Sequence, residues 1–167
     1  MRITRKLDSL LRRDAKTKGV SVNALLAQIL TKYAEWDRNA EKFGFTSLTE
    51  QVFRGILAST DEESLLRTAK ELGSRVPKEF ILFWFKRIGF DTFVNYVTVT
   101  CKYGGIGACE TDSEGKYVMM TIQHDYGDKW SRFTRYFLEE GIRSCLGIDN
   151  AQFDISKNAV FIRLPAH

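Results

Sequence analysis

Lys18-Gly19-Val20-Ser21-Val22-Asn23-Ala24-Leu25-Leu26, running on to Trp36, has the order of a helix end, a tight turn and a new helix start. Gly19 is the residue type that tolerates the left-handed conformation closing a helix, and Ser21 is a favoured N-cap whose hydroxyl accepts a backbone N–H from the next turn. Beyond it, Val22, Leu25, Leu26, Ile29, Leu30, Tyr33 and Trp36 recur at spacings of three and four, which predicts one broad apolar helix face. Upstream, Leu7, Leu10, Leu11 and Ala15 place an apolar stripe on a first helix and leave the basic residues largely on its other sides. Two short amphipathic helices meeting at Gly19 cannot bury both stripes against each other. A homodimer, in which a second copy covers the excess, is therefore expected; packing on later helices of the same chain is the alternative.

Composition narrows the class. A chain of 167 residues at 44% hydrophobic can bury a sizeable core in one or two small domains, so a folded chain rather than a disordered one is expected. No apolar run approaches the roughly 18 residues of a membrane span, and the N-terminus lacks a signal-type apolar stretch, so no membrane association and a cytoplasmic location are expected. Cys101, Cys109 and Cys145 show no C-x-x-C spacing and read as reduced, structural, mostly buried thiols. The net charge of +4 is unevenly placed. Residues 1 to 20 hold Arg2, Arg5, Lys6, Arg12, Arg13, Lys16 and Lys18 against Asp8 and Asp14, so a polyanion would be drawn to this end of the chain.

The pattern Leu10-Leu11, Ala15, Lys18-Gly19-Val20-Ser21-Val22-Asn23, Leu25-Leu26, Ile29-Leu30 and Tyr33 resembles the ribbon-helix-helix family of DNA-binding proteins over roughly residues 1–37. The resemblance implies intertwined chains whose N-terminal strands pair into a ribbon that enters the major groove, with a backbone phosphate held at the start of the second helix. That anchor would fall on Ser21, Val22 and Asn23. The family's strand of about five to seven residues is represented only by Met1 to Thr4, which implies either a shortened ribbon or a start upstream of Met1. Arg2, Thr4, Arg5 and Lys6 are then expected to contact phosphates, with Arg12 and Arg13 adding electrostatic attraction.

The second helix is expected to run on to Gly44. Further helix starts are read at Thr46 or Ser47, at Thr60 with Glu63 as a capping box, and at Pro77. Phe80-Ile81-Leu82-Phe83-Trp84-Phe85 fits a buried helix, with Trp84 the candidate wall of a ligand pocket. Asp91 is read as the cap of a helix from Thr92 to about Tyr103, where spacing favours helix and β-branching favours strand. From Ile106 the period changes to two. Strands are expected at 106–111, 116–123, 151–156 and 159–164, with a turn at Asp112 to Gly115 and a helix opening at Gly127-Asp128 and ending before Gly147. The whole predicts an α+β protein in three parts: helices resembling a ribbon-helix-helix unit at 1–44, a helical middle at 45–103, and an antiparallel ββαββ sheet with one packed helix at 104–167.

His124, Asp125, Lys129 and Arg132 form the concentrated polar constellation of the last part and are the candidate ligand-binding residues, where a strand end and a helix start can receive an anion. The bland reading makes Asp125 or Asp128 a helix cap, the cations solvated and His124 a satisfied histidine. No metal or cofactor is expected, because His124 is the lone internal histidine and the cysteines are distant. No Gly-rich phosphate loop, G-x-S-x-G or H-E-x-x-H occurs, and Cys109 with His124 on neighbouring strands is the sole nucleophile pairing on offer, so no enzyme is expected. The combined expectation is a dimeric DNA-binding transcriptional regulator with a C-terminal sensing or oligomerisation domain. The alternative is a dimeric ligand-binding or protein-interaction module that does not read DNA.

Overall fold

A computed structural model describes residues 3–165. The chain separates into two compact units, Met1–Phe45 and Thr46–His167. In the first, α1 (Arg5–Lys18) and α2 (Val22–Lys32) meet at Gly19, whose φ of 65° is the left-handed conformation expected from its lack of a Cβ. The Val20 N–H donates to the Ala15 carbonyl at 3.0 Å and the Gly19 N–H to that of Lys16 at 3.2 Å, so two otherwise orphaned carbonyls are satisfied. Val20 then packs with Val22 and Leu26 on a core of Leu11, Ala15 and Leu25. One wider π turn, Tyr33–Asp37, interrupts the continuous α-helix expected here before α3 (Arg38–Phe43) ends at Gly44 with φ 95°. The extra residue in that turn rotates the apolar face. Trp36 is buried against Phe45, with ring centroids 4.6 Å apart, while Tyr33 of the same sequence stripe stays 58% exposed.

The second unit holds α4 (Glu50–Ser59), α5 (Glu62–Phe85), α6 (Phe90–Gly104), β1 (Ala108–Glu114), β2 (Tyr117–Gln123), α7 (Asp128–Leu146), β3 (Gln152–Ser156) and β4 (Ala159–Pro165). The sheet order is β1-β2-β4-β3 with every neighbouring pair antiparallel. The protein is α+β, with the ββαββ order that the change of period predicts. Val118, Met120 and Ile122 stand opposite Leu164, Ile162 and Val160 and form the core face. That face carries α6 on β1 as well as α7 on β3 and β4, rather than the single helix expected, and α5 packs along α7. The middle helices thus belong to the same compact unit as the sheet.

Several local expectations are corrected. The cap of α4 is Thr49, not Thr46 or Ser47. Asp61 caps α5, accepting the Ser64 N–H at 2.8 Å, whereas the Thr60 hydroxyl donates back to the Ile56 carbonyl and closes α4. Pro77 lies inside α5 instead of starting a helix. Gly89 precedes α6, and Thr92 Oγ1 accepts the Gly89 N–H at 2.9 Å, because Asp91 is engaged with Arg87. The β-branched α6 stays helical because Phe93, Val97 and Cys101 are buried on one side and the Thr98 and Thr100 hydroxyls donate to carbonyls one turn back. β1 extends to Glu114, so the turn contracts to Gly115-Lys116 with Gly115 at φ 59°.

The approach of α5 to α7 is set by glycine. A Cβ on Gly73 would sit 2.3 Å from the Phe137 carbonyl oxygen, and one on Gly141 would meet the Pro77 ring at 3.0 Å. Gly73→Ala is therefore expected to lower stability in urea unfolding by about 1–3 kcal/mol through overpacking. Gly55→Ala on α4, where a Cβ meets nothing within 4 Å, is expected to raise it by roughly 0.5–1 kcal/mol. Equal effects of the two substitutions would mean that the helix contact is not tight.

Candidate functional site

In the first unit, Arg2 lies outside the described residues. Thr4 is occupied as the cap of α1, its hydroxyl accepting the Leu7 N–H at 3.3 Å. Arg5 and Lys6 are exposed on the first turn. Arg12 is bound to Asp8 at 2.9 Å, a contact that raises its pKa, and Arg13 stands 3.8 Å from Asp14. Both remain largely exposed. Ser21 Oγ accepts the Ala24 N–H at 3.0 Å, and the Val22 and Asn23 N–H groups stand at the open end of α2, ahead of its hydrogen-bond ladder. The Val22 side chain turns into the core, so what this residue offers a phosphate is its backbone.

In the second unit, His124 joins three elements at the end of β2. Its own N–H donates to the Asn158 carbonyl at 2.9 Å. The Tyr126 N–H donates to Nδ1 at 3.2 Å, which places the ring proton on Nε2. Nε2 then donates to Ser131 Oγ at 2.9 Å, and Ser131 donates to the Lys157 carbonyl at 3.2 Å. The Gly127 N–H donates to Asn158 Oδ1 at 3.1 Å. Strand end, helix start and the β3–β4 turn are thereby locked around a neutral imidazole. Burial lowers its pKa, against an opposing pull from Asp125.

The cations expected to receive a ligand are spent on structure. Lys129 Nζ donates to the carbonyls of Leu57, Ala58 and Thr60, at 3.3, 3.1 and 2.8 Å, and so caps the C-terminus of α4. Arg132 bridges Glu62 of α5 and Asp128 of its own helix. Trp84 stacks on Phe80 with centroids 4.4 Å apart. What the fold leaves open beside His124 is a cleft of ≈ 730 Å³, with Cys101, Lys102, Gly105, Gln123, Asp125 and Asn158 among its walls. His124 and Asp125 line it; Lys129, Arg132 and Trp84 do not.

Asn158 and Ser131 were not singled out from sequence. A turn asparagine ordinarily bonds its own backbone, and nothing local marks one that reaches the start of a distant helix. Cys109 does not pair with His124: both imidazole nitrogens are occupied, and the Cys109 S–H is directed at the Glu110 carbonyl at 3.8 Å. Cys101 is buried, Cys109 and Cys145 are half-buried, and all three are free. Among the described residues no cluster of His, Cys, Asp or Glu could hold a metal ion, and no helix is long and apolar enough to cross a membrane. Comparison of the sequence with models of protein families and with curated proteins gives no match.

Because the His124 pKa is lowered in the fold, its contribution to stability is complete above the ordinary value of 6.5 and is lost as pH falls through the lowered one. Urea midpoints measured between about pH 7.5 and pH 5 should fall less steeply for His124→Gln, which keeps a donor toward Ser131 but does not titrate. Parallel pH profiles for the variant and the parent would remove His124 from the transition.

Proposed function

We propose that this protein is a dimeric DNA-binding regulator of the ribbon-helix-helix type, with residues 46–167 as its sensing or oligomerisation part. The observation that carries the reading is the surface of the first unit. Leu7 and Leu10 of α1 are each 43% exposed, and Ile29, Leu30 and Tyr33 are exposed beyond them, an apolar load that a second copy would cover. The same short segment carries Arg5 and Lys6 at the start of α1 and a capped helix start at Ser21 with two backbone N–H groups open to an anion. Apolar surface for pairing and positive charge for a polyanion thus coincide, which supports a unit that binds DNA as a pair. Phosphate contact is better supported than base readout, which would require the ribbon ahead of Ile3.

A second reading is favoured by the cleft beside His124: a dimeric module that binds a small polar ligand or a protein and leaves DNA alone. Changing Arg2, Arg5 and Lys6 together to Ala separates the two. On the DNA reading, mobility shifts of random duplex fragments at low salt are lost in the triple variant, and the salt dependence of residual binding flattens by about one unit of slope per lost contact in each copy. Sedimentation should give a dimer for both proteins. A parent protein that sediments as a dimer but shifts no DNA at low salt would favour the second reading.

A further inference from the structure

The described helices of the second unit pack on the Val118, Met120 and Ile122 face of its sheet. Cross-strand register puts Glu110, Thr121, Phe161 and Asp154 in one row of the opposite face, and Asp112, Met119, Arg163 and Gln152 in the next. A further row holds Glu114, Tyr117 and Pro165. A solvated face of an antiparallel sheet ordinarily carries polar side chains throughout. Here the polar ones keep to the outer strands β1 and β3, while the central strands β2 and β4 present Tyr117, Met119, Phe161 and Pro165. Phe161 is 41% exposed, whereas its chain neighbours Val160 and Ile162, turned to the helices, are 0% and 1% exposed.

This apolar strip is bordered by charge of one sign. Glu110, Asp112 and Glu114 line β1 and Asp154 stands on β3, all of them exposed. Among the described residues none of these carboxylates is in an ion pair. The cation of these rows, Arg163, lies over the Tyr117 ring, its guanidinium carbon 3.9 Å from the centroid, so its charge is turned onto the aromatic strip. On a chain with a net charge of +4 this face is acidic. Two carboxylates also decide how a partner approaches. Asp112 accepts the Ser113 N–H and Asp154 the Ile155 N–H, each at 2.8 Å. Alternation along each hairpin turns those two N–H groups away from the paired strand, toward the open edges of the sheet. With a carboxylate on each, the edges are closed there to an added strand, and the face is the surface that remains.

We propose that this face docks a basic amphipathic helix of another protein. The outer strands are three strand spacings apart, about 14 Å, with the apolar strip between them. A helix is about 10 Å across, so one laid along the strip covers Tyr117, Met119 and Phe161 with its apolar stripe and reaches the border with its flank. Along β1 the carboxylates recur at every second residue, about 6.8 Å apart. Lysines or arginines at every fourth position of a helix recur about every 6 Å, so a flank of them meets these carboxylates in order. The border is heavier on β1 than on β3, which fixes the flank that carries the cations. The same charge opposes a nucleic-acid strand: aromatic side chains alone would stack its bases, but its phosphates would lie against carboxylates. It equally opposes a second copy placed face to face. The proposal concerns the second unit by itself and rests on neither DNA binding nor the cleft beside His124.

The test titrates the full chain into a fluorescein-labelled helical peptide of leucine, alanine and lysine, with the leucines on one stripe and the lysines along its flank, read by anisotropy. A scrambled peptide of the same composition, a version with glutamate for lysine and a single-stranded oligouridine are the comparisons. The lysine peptide is expected to bind and to shift the backbone amide resonances of Met119, Thr121 and Phe161, with the scrambled peptide about tenfold weaker and the glutamate version inert. Phe161→Ser and the pair Glu110→Gln with Glu114→Gln should each weaken binding by about tenfold. The pair Glu63→Gln with Glu71→Gln, exposed on α5, should leave it unchanged. The resonance map of the parent carries the test even where a variant fails to fold. No binding, equal binding of the scrambled peptide, shifts confined to other surfaces, or unchanged affinity in Phe161→Ser would each overturn the proposal. So would binding of the oligouridine at this face, or concentration-dependent shifts here in the parent alone, which would mark a second copy as the occupant.

Discussion

The second unit depends on two helices whose backbones touch. Gly73 and Pro77 of α5 meet Phe137 and Gly141 of α7, each pair four residues apart and hence on one face of its helix. The absence of side chains at the two glycines lets the axes close. That contact also explains a proline within a helix. Pro77 gives up a backbone hydrogen bond and crowds the carbonyl four residues back, at about 3 kcal/mol in an isolated helix. Here that residue is Gly73, and the ring of Pro77 is buried against Gly141, with Phe80 and Ile81 buried in the following turn. Burial of this order offsets the loss. Since α7 connects β2 to β3, fixing α7 on α5 also fixes where the second hairpin joins the sheet.

The same helix begins at the His124 junction, which organises polar groups as the glycine contact organises apolar ones. Each nitrogen of the ring has one partner, so the imidazole is held as a single tautomer between a strand, a helix and a turn. A group so committed stabilises but has no free nitrogen for proton transfer or ligation. The chemistry the cleft can support lies with its other walls. On one side this is the Cys101 thiol; on the other they are the polar groups of Gln123, Asp125 and Asn158.

Sequence periodicity carried the elements whose burial is one-sided. Val118, Met120 and Ile122, the α7 stripe and the turn at Gly19 were all legible, because each is written in spacing or in a residue type with one conformational use. Legibility failed where a local signal had a competitor. Thr60-x-x-Glu63 satisfies the capping pattern, yet Asp61 is the stronger acceptor and takes the cap. Pro77 marks a helix start in isolation and a tertiary contact in the fold. The site suffered most, because Lys129 and Arg132 are committed to carbonyls and carboxylates about seventy residues away in sequence, and Asn158 reaches the start of α7 from a turn thirty-one residues further on. None of these partnerships has a period.

The first unit differs in how much of its apolar surface is settled. Among the described residues its buried apolar side chains are Leu11, Ala15, Leu25, Trp36 and Ala40, a small set for a segment near the length at which domains ordinarily need metals, disulfides or oligomerisation. Leu7, Leu10, Ile29, Leu30 and Tyr33 remain exposed. In the proposed dimer these positions supply the missing burial at about 25 cal/mol per Å², and pairing brings a second set of basic first-turn residues into the same assembly. The counterion release that drives binding grows with the number of phosphates neutralised, so a dimer gains affinity for a polyanion out of proportion to one chain. DNA that binds the pair and not the single chain would in turn draw the equilibrium toward the pair. Dimerisation and DNA binding would then be linked through one short segment, because the apolar and basic faces belong to the same helices.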